Sequence, residues 1–283
     1  MSYLTTQHHH LHYTTAGNQK HPPILLIHGF LGSQQDFAEI VPTLSDQFYC
    51  IAPDLPGHGR SQTSEGDYTF ESTAQVLLSL LDDLVIDQTH LLGYSMGGRL
   101  ALYLTCCFPE RFDRVVLESA SPGLKTVKER QERVLKDEAI AHQLETTALP
   151  DFLAQWYRNP LFASLKKHPE VYAAMLHRRQ NNNSTELAAA LRGMSTGRQP
   201  SLWRALPDIP NPLLLLVGEL DAKFVALNRE MEAHCSQGQP QQTLGPRIRE
   251  SQVIFQAVAG YGHNIHLEAP DLYLQQVISF FSG

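Results

Sequence analysis

Six short β-rich runs, nearly continuous in apolar residues, recur along the chain with helix-like stretches between them. They occupy 24–28 (ILLIH), 47–55 (QFYCIAPDL), 89–95 (THLLGYS), 114–120 (RVVLESA), 213–219 (LLLLVGE) and 253–258 (VIFQAV). A strand that is apolar at successive positions has to be covered on both faces. Between the runs, 71–85 carries Ala74, Leu77, Leu78, Leu81, Leu84 and Val85 at helical spacing, and 97–108 follows its strand directly. Strand then helix, repeated, predicts an α/β fold with a mostly parallel, doubly wound sheet. Residues 11–15, ahead of Gly17, are expected to add an antiparallel edge strand.

The alternation stops between 122 and 205. That stretch offers helix-like patterns alone, at 127–144, 150–157, 170–180 and 185–191. An all-helical insertion after the fourth parallel strand is expected to form a lid over the carboxyl ends of the strands, where α/β sheets bind ligands. The expected division is a body, 1–121 with 206–283, and a lid, 122–205. Charge separates the two as well. The insertion holds 13 Lys plus Arg against 8 Asp plus Glu, whereas the rest holds 9 against 21, so a cationic segment sits inside a chain of net charge −7.

Several classes are excluded. The overall acidity argues against nucleic acid as a partner. No apolar run approaches the ~20 residues needed to cross a bilayer, and the first residues lack a basic region followed by an apolar one, so no membrane association and a cytoplasmic location are expected. Cys50, Cys106, Cys107 and Cys235 show no CxxC pair or metal-ligand rhythm and are read as reduced packing residues. His8, His9, His10 and His12 suggest a metal site, but neighbouring strand residues face opposite ways and no Asp or Cys cluster accompanies them. The Gln/Gly/Pro-rich stretch 236–246 is read as a mobile surface loop.

The chemistry is carried by GYSMG, 93–97, a GxSxG pentapeptide between a strand and a helix. That context marks a nucleophile elbow presenting the Ser95 hydroxyl. A serine needs an imidazole to take its proton and an acid to orient the imidazole. His263, in GYGHNIHLEAP, follows the last strand, and Asp221, in GELDAKF, follows the one before it. Glu118, at the end of its own strand, is the alternative acid, and His266 is read as a packing residue. The turn HGFLGS suits an oxyanion hole, formed by the backbone N–H groups of Phe30 and Met96. The loop DLPGHGRS, 54–61, is read as structural. Arg99, one helical turn past Ser95, can reach the pocket.

With these residues in place, the chain resembles the α/β-hydrolase superfamily over nearly its whole length. HGFLGS, GYSMGGR, QERVLKDE, FLAQWYRNPLF, RRQNNN, LRGMSTGRQPSLW and GELDAKF together resemble the 2-succinyl-6-hydroxy-2,4-cyclohexadiene-1-carboxylate synthase (MenH) family of menaquinone and phylloquinone synthesis. The resemblance implies a lyase on a hydrolase frame, which expels pyruvate from a small polyanionic substrate without metal or organic cofactor. It further implies that Arg99, Arg133 and Arg179 clamp substrate carboxylates, that Lys223 assists, and that Tyr94 and Trp156 line the site; Arg178 should point elsewhere. Ser184 stands where the family pattern has glycine, and the loop 236–251 is longer than expected. Two other readings stay open: a serine hydrolase of an acidic ester, thioester or carbon–carbon bond, and a ligand receptor that retains the triad. Oligomeric state is not legible.

Overall fold

A computed structural model of the chain describes residues 2–64, 67–237 and 253–283. The stretch 238–252, which holds most of the expected 236–246 loop, lies outside the described residues. The strands are β1 (Ser2–Thr5), β2 (His9–Ala16), β3 (Pro23–Ile27), β4 (Tyr49–Pro53), β5 (Gln62–Thr63), β6 (Thr89–Tyr94), β7 (Phe112–Glu118), β8 (Leu213–Gly218) and β9 (Val253–Val258). The helices are α1 (Val41–Leu44), α2 (Phe70–Asp83), α3 (Met96–Cys107), α4 (Val127–Thr146), α5 (Leu149–Trp156), α6 (Pro169–Arg179), α7 (Ser184–Gly193), α8 (Ala222–Cys235), α9 (Ile265–Glu268) and α10 (Pro270–Ser282).

All nine strands of the described residues join one sheet in the order β1-β2-β4-β3-β6-β7-β8-β9, with β5 paired to β2. The six from β4 to β9 along this order run parallel, and β1, β2 and β5 add antiparallel pairing at one side. The expected edge strand at 11–15 is therefore antiparallel but not the edge, because β1 pairs outside it. The continuous apolar runs are explained by burial on both faces. Leu25 and Ile27 of β3 enter one core layer with α2 and α3, while Ile24 and Leu26 enter the other with α10. Helix α2 stops at Asp83, sooner than the apolar spacing predicts; Val85 turns into left-handed backbone (φ 57) and stands 88% exposed. The four cysteines are free, but Cys107 is exposed and bonds the Tyr103 side chain rather than filling the core.

The alternation resumes only after four helices, α4 to α7, inserted between β7 and β8. Helix α4 starts on a reciprocal cap: the Thr126 hydroxyl accepts from the Glu129 N–H at 3.2 Å, and the Glu129 carboxylate accepts from the Thr126 N–H at 2.8 Å. The insertion has its own apolar cluster, including Leu144, Phe152, Phe162, Met175 and Leu187, closed from below by Leu31 and Leu267 of the body.

Polar groups in RRQNNN fasten this insertion down. Arg179, 2% exposed, donates from Nη1 and Nη2 to Asp36 at 2.6 and 2.8 Å, and from Nε to the Tyr157 hydroxyl at 3.3 Å. Burial alone would raise the Asp36 carboxyl, but the charge and hydrogen bonds of Arg179 hold it below the usual range. Asn182 donates to the Leu31 carbonyl at 2.9 Å and accepts from the Gly59 N–H at 2.7 Å. Where the family pattern has glycine, the chain starts α7 at Ser184, capped by the Asn183 side chain.

Breaking a buried bidentate pair from one side strands a charge. Arg179→Ala should therefore lower the unfolding free energy by about 3–5 kcal/mol in urea titration. The double variant Asp36→Leu with Arg179→Leu should recover most of it, and equal losses in both would show that the stranded charge is not the cause.

Candidate active site

The carboxyl ends of β6, β7 and β8 come level, with Tyr94 opposite Glu118 and Glu118 opposite Leu216. Just past this line, Ser95 is forced into left-handed backbone, φ 52 and ψ −108, and α3 begins at once with Met96. Such a conformation costs on the order of 1–3 kcal/mol and needs surrounding support. The Ser95 N–H donates to the Glu118 carbonyl at 2.8 Å. Glycine at 97 permits the close crossing of α3 over β3, since a Cβ there would fall 2.2 Å from the Ile27 carbonyl oxygen.

Around the half-buried Ser95, the two residues read as base and acid assemble. His263 Nε2 lies 3.1 Å from Ser95 Oγ, and His263 Nδ1 lies 2.6 Å from Asp221 Oδ2. The other oxygen of Asp221 caps α8 by accepting from the Phe224 N–H at 3.3 Å, which fixes the carboxylate plane. Glu268 steadies the histidine turn, accepting from the N–H groups of Gly262 and Asn264, both at 3.3 Å, and from the Ser164 hydroxyl at 3.0 Å. Phe224 and Phe162 bring rings to 4.8 and 6.2 Å from the imidazole centroid, which is sealed at 2% exposure. Glu118, the alternative acid, bonds His266 instead, so the geometry favours Asp221. A Cβ on Gly29 would lie 3.5 Å from Ser95 Cβ, so the turn bearing Phe30 runs against the nucleophile, while Met96 supplies the first N–H of α3.

Three cations lie within electrostatic reach of one another in series, Arg99 to Arg133 and Arg133 to Lys223. Arg99 projects from α3 and donates from Nη1 to the Met194 carbonyl at 3.1 Å and to Gln199 Oε1 at 3.3 Å. Burial, then the charge of Arg133, pushes its guanidinium down to about 9, against a smaller pull from Asp137. Arg133, on α4, is held through Nε by Asp137 at 2.8 Å. Asp137 is itself buried and accepts from Ser195 Oγ at 2.6 Å. Lys223 stands at the start of α8, its ammonium 5.3 Å from the Phe224 ring centre. Partial desolvation, then the charge of Arg133, lowers it against the pull of Asp221. Among the described residues, neither Arg99 nor Lys223 forms an ion pair with a carboxylate. Arg133 thus repels both Arg99 and Lys223, and the carboxylates of Asp137 and Asp221 offset that only in part. A multiply charged anion is the species that relieves such a site.

Other expected residues land differently. Arg179 is not an open clamp: its planar fork is consumed by Asp36, because both oxygens match it inside a sealed contact. Arg178 is half-buried with its Nε unpartnered, on a different face of α6. Tyr94 is buried behind the relay, its hydroxyl accepting from Asn264 Nδ2 at 2.6 Å and its ring 5.5 Å from that of His263. Trp156 meets Phe30 edge-on at 5.6 Å, an aromatic contact between insertion and body at the mouth. In the loop 54–61, Asp54 accepts from the N–H groups of Gln34 and Arg60 and from His12 Nδ1. Burial, then the His28 charge, pushes His58 in that loop down to about 3. His9 turns inward to Thr63 and Ser72, and His10 meets Thr5. Among the described residues no group of three or more His, Cys, Asp or Glu could hold a metal ion, and no helix is long and apolar enough to cross a membrane.

Comparison with known proteins places this geometry. The α/β hydrolase fold model matches residues 22–270. A Bacillus subtilis (strain 168) protein, provisionally named 2-succinyl-6-hydroxy-2,4-cyclohexadiene-1-carboxylate synthase, is 36% identical over 263 residues, 92% of this chain and 90% of its own. The protein of that name from Escherichia coli O1:K1 / APEC is 34% identical over 249 residues, covering 88% and 89%. The chain belongs to this synthase family. The solved structure of MenH from S. aureus is similar as well, at 29% identity and a TM-score of 0.85 over 98% of each chain.

Sequence reasoning missed Asp36, Asp137, Asn264 and Glu268, the buried partners that orient the expected residues. Asp137 had a visible signal, since it follows Arg133 by four positions on one helix face. Asp36 and Asn264 reach Arg179 and Tyr94 from distant segments and left no spacing to read, while Glu268 lies close to His263 in sequence but serves a turn with no regular period. Because burial and the charge of Arg133 both disfavour the Arg99 charge, a trianion such as tricarballylate should raise the melting temperature at pH 7, and it should do so much less in Arg99→Gln. An equal protection in that variant would remove Arg99 from the anion site.

Proposed function

We propose that this enzyme is a lyase that eliminates pyruvate from 2-succinyl-5-enolpyruvyl-6-hydroxy-3-cyclohexene-1-carboxylate, giving 2-succinyl-6-hydroxy-2,4-cyclohexadiene-1-carboxylate for menaquinone or phylloquinone synthesis. One observation carries the reading: the acid of an acid–imidazole–hydroxyl relay lies within electrostatic reach of Lys223, which is linked through Arg133 to Arg99. The substrate bears three carboxylates, so its charge suits those cations. In this reading residues 122–205 are the lid, and 1–121 with 206–283 the body. The partner is a small polyanion, with no role for nucleic acid or membrane, and the reaction is assigned to the cytoplasm.

His263, oriented by Asp221, takes the Ser95 proton, and the alkoxide removes a carbon-bound ring proton made acidic by the substrate's carbonyl group. Charge builds on that carbonyl oxygen and is met by the N–H groups of Phe30 and Met96. The electron pair left on C2 then forms the C2=C3 bond, the C3=C4 pair shifts to C4=C5, and the C5–oxygen bond to the enolpyruvyl group breaks, which gives the 2,4-diene. The departing enolate takes up a proton to become pyruvate. Water is not consumed, and no acyl-enzyme forms. Proton transfer by a positioned base contributes ~10²- to 10⁴-fold, and stabilisation of the oxyanion adds to it. Tyr94 supports the His263 side of the relay, and Trp156 with Phe30 narrows the mouth. Arg179 acts here by docking the lid on Asp36.

Ser95→Ala should abolish pyruvate release, followed by a coupled assay, while substrate still protects the protein against thermal unfolding; retained turnover would remove the alkoxide step. Arg133→Ala should raise KM by about tenfold or more, the order of one lost charge-assisted contact of ~1.5–3 kcal/mol. Rapid hydrolysis of acidic esters together with no pyruvate release would favour the serine hydrolase reading instead.

A further inference from the structure

Two serines at the carboxyl edge of the sheet share an uncommon backbone state. Ser95 has φ 52 and Ser119 has φ 50. They belong to adjacent strand ends and are linked: the Ser95 N–H donates to the Glu118 carbonyl at 2.8 Å, and the Ser119 N–H donates to the Leu216 carbonyl of β8 at 2.9 Å. Left-handed backbone at a side-chain-bearing residue persists where its surroundings over-determine it, and it concentrates at functional sites. For Ser95 the return is a presented hydroxyl. For Ser119, which is fully buried, the hydroxyl donates to the carbonyl of His263 at 3.3 Å.

Glu118 extends the same connection. Its sealed carboxylate accepts from the His266 backbone N–H at 3.2 Å, and His266 Nδ1 lies 2.9 Å from both of its oxygens. The His266 ring packs 4.5 Å from that of Tyr94, the residue preceding Ser95. Glu118 and Ser119 thus touch the nucleophile turn through a carbonyl, His263 through a hydroxyl, and the segment after His263 through a carboxylate. A buried carboxylate and imidazole are a costly way to fill space, since an apolar pair of similar volume often stabilises more. Their position at the junction of the two reacting segments gives them a use that packing alone does not.

We propose that Glu118, Ser119 and His266 form a positioning brace that sets the separation and orientation of Ser95 and His263. This rests on the reading that Ser95 and His263 are the reacting pair. The three residues act through the backbone of that pair and do not touch substrate.

The decisive variant is Ser119→Gly. Glycine adopts this φ without strain, so the fold is kept while the hydroxyl is lost. Two readouts are used: kcat and KM for pyruvate release, and the rate at which a small neutral fluorophosphonate labels Ser95. In labelling, the Oγ–phosphorus bond forms, fluoride leaves and the serine proton passes to His263, so the lyase substrate is not involved. Both kcat and labelling should fall about tenfold, the scale of a sub-ångström misplacement, with KM and melting temperature no worse than in the parent. Glu118→Gln should slow labelling similarly. His266→Asn, whose amide can replace the Nδ1 donor, should label faster than His266→Ala. Parental labelling and kcat in Ser119→Gly would overturn the brace, even if the Glu118 and His266 variants fail to fold. A parent enzyme that labels rapidly at Ser95 but releases no pyruvate would overturn the lyase reading and leave the brace standing.

Discussion

The active edge of this molecule depends on one strained turn. Ser95 is held at φ 52 because β6 must end, expose a hydroxyl and start α3 within a single residue. That geometry tolerates no side chain at Gly97, where the helix crosses the Ile27 carbonyl at backbone distance. Parallel strands supply the force that holds it, since the levelled ends of β6, β7 and β8 leave the Glu118 carbonyl in place to take the Ser95 N–H. The turn in turn determines where an imidazole and an acid must arrive, and the loops after β8 and β9 deliver them.

A second constraint is electrostatic and opposes stability. Among the described residues Arg99 lies against carbonyl and amide oxygens and pairs with no carboxylate, and the charge of Arg133 acts against both Arg99 and Lys223. A chain selected for stability alone would pair or remove such cations. Cations left this way suit the polyanion proposed as substrate, whose charge would replace the missing partners without reorganisation of the site. The Asp137 carboxylate, tied down by Ser195, keeps Arg133 aimed without cancelling the cluster.

The inserted helices are fixed to the rest of the chain by apolar and polar contacts together. Their cluster of apolar residues closes on Leu31 and Leu267, and Arg179 and Asn182 add directional contacts to Asp36, Leu31 and Gly59. Arg179 of RRQNNN was expected to clamp a substrate carboxylate and instead holds a carboxylate inside the fold. The carboxylate is the protein's own, and it lies 143 positions away.

The local pattern of the chain determined much of this protein. Continuous apolar runs require a sheet covered on both faces, and the GYSMG turn requires a nucleophile elbow; both follow from backbone and side-chain properties of neighbouring residues, and both are present. The order of Ser95, Asp221 and His263 was legible for the same reason, since each follows directly on an apolar run. What only the tertiary structure decided is the pairing of charges and the limits of local patterns. Asp36 took Arg179, His266 took Glu118, Val85 left its helix face, and β1 displaced β2 from the edge. Charges choose partners by distance in the folded state, and a salt bridge between segments far apart in sequence leaves no periodicity or spacing behind it.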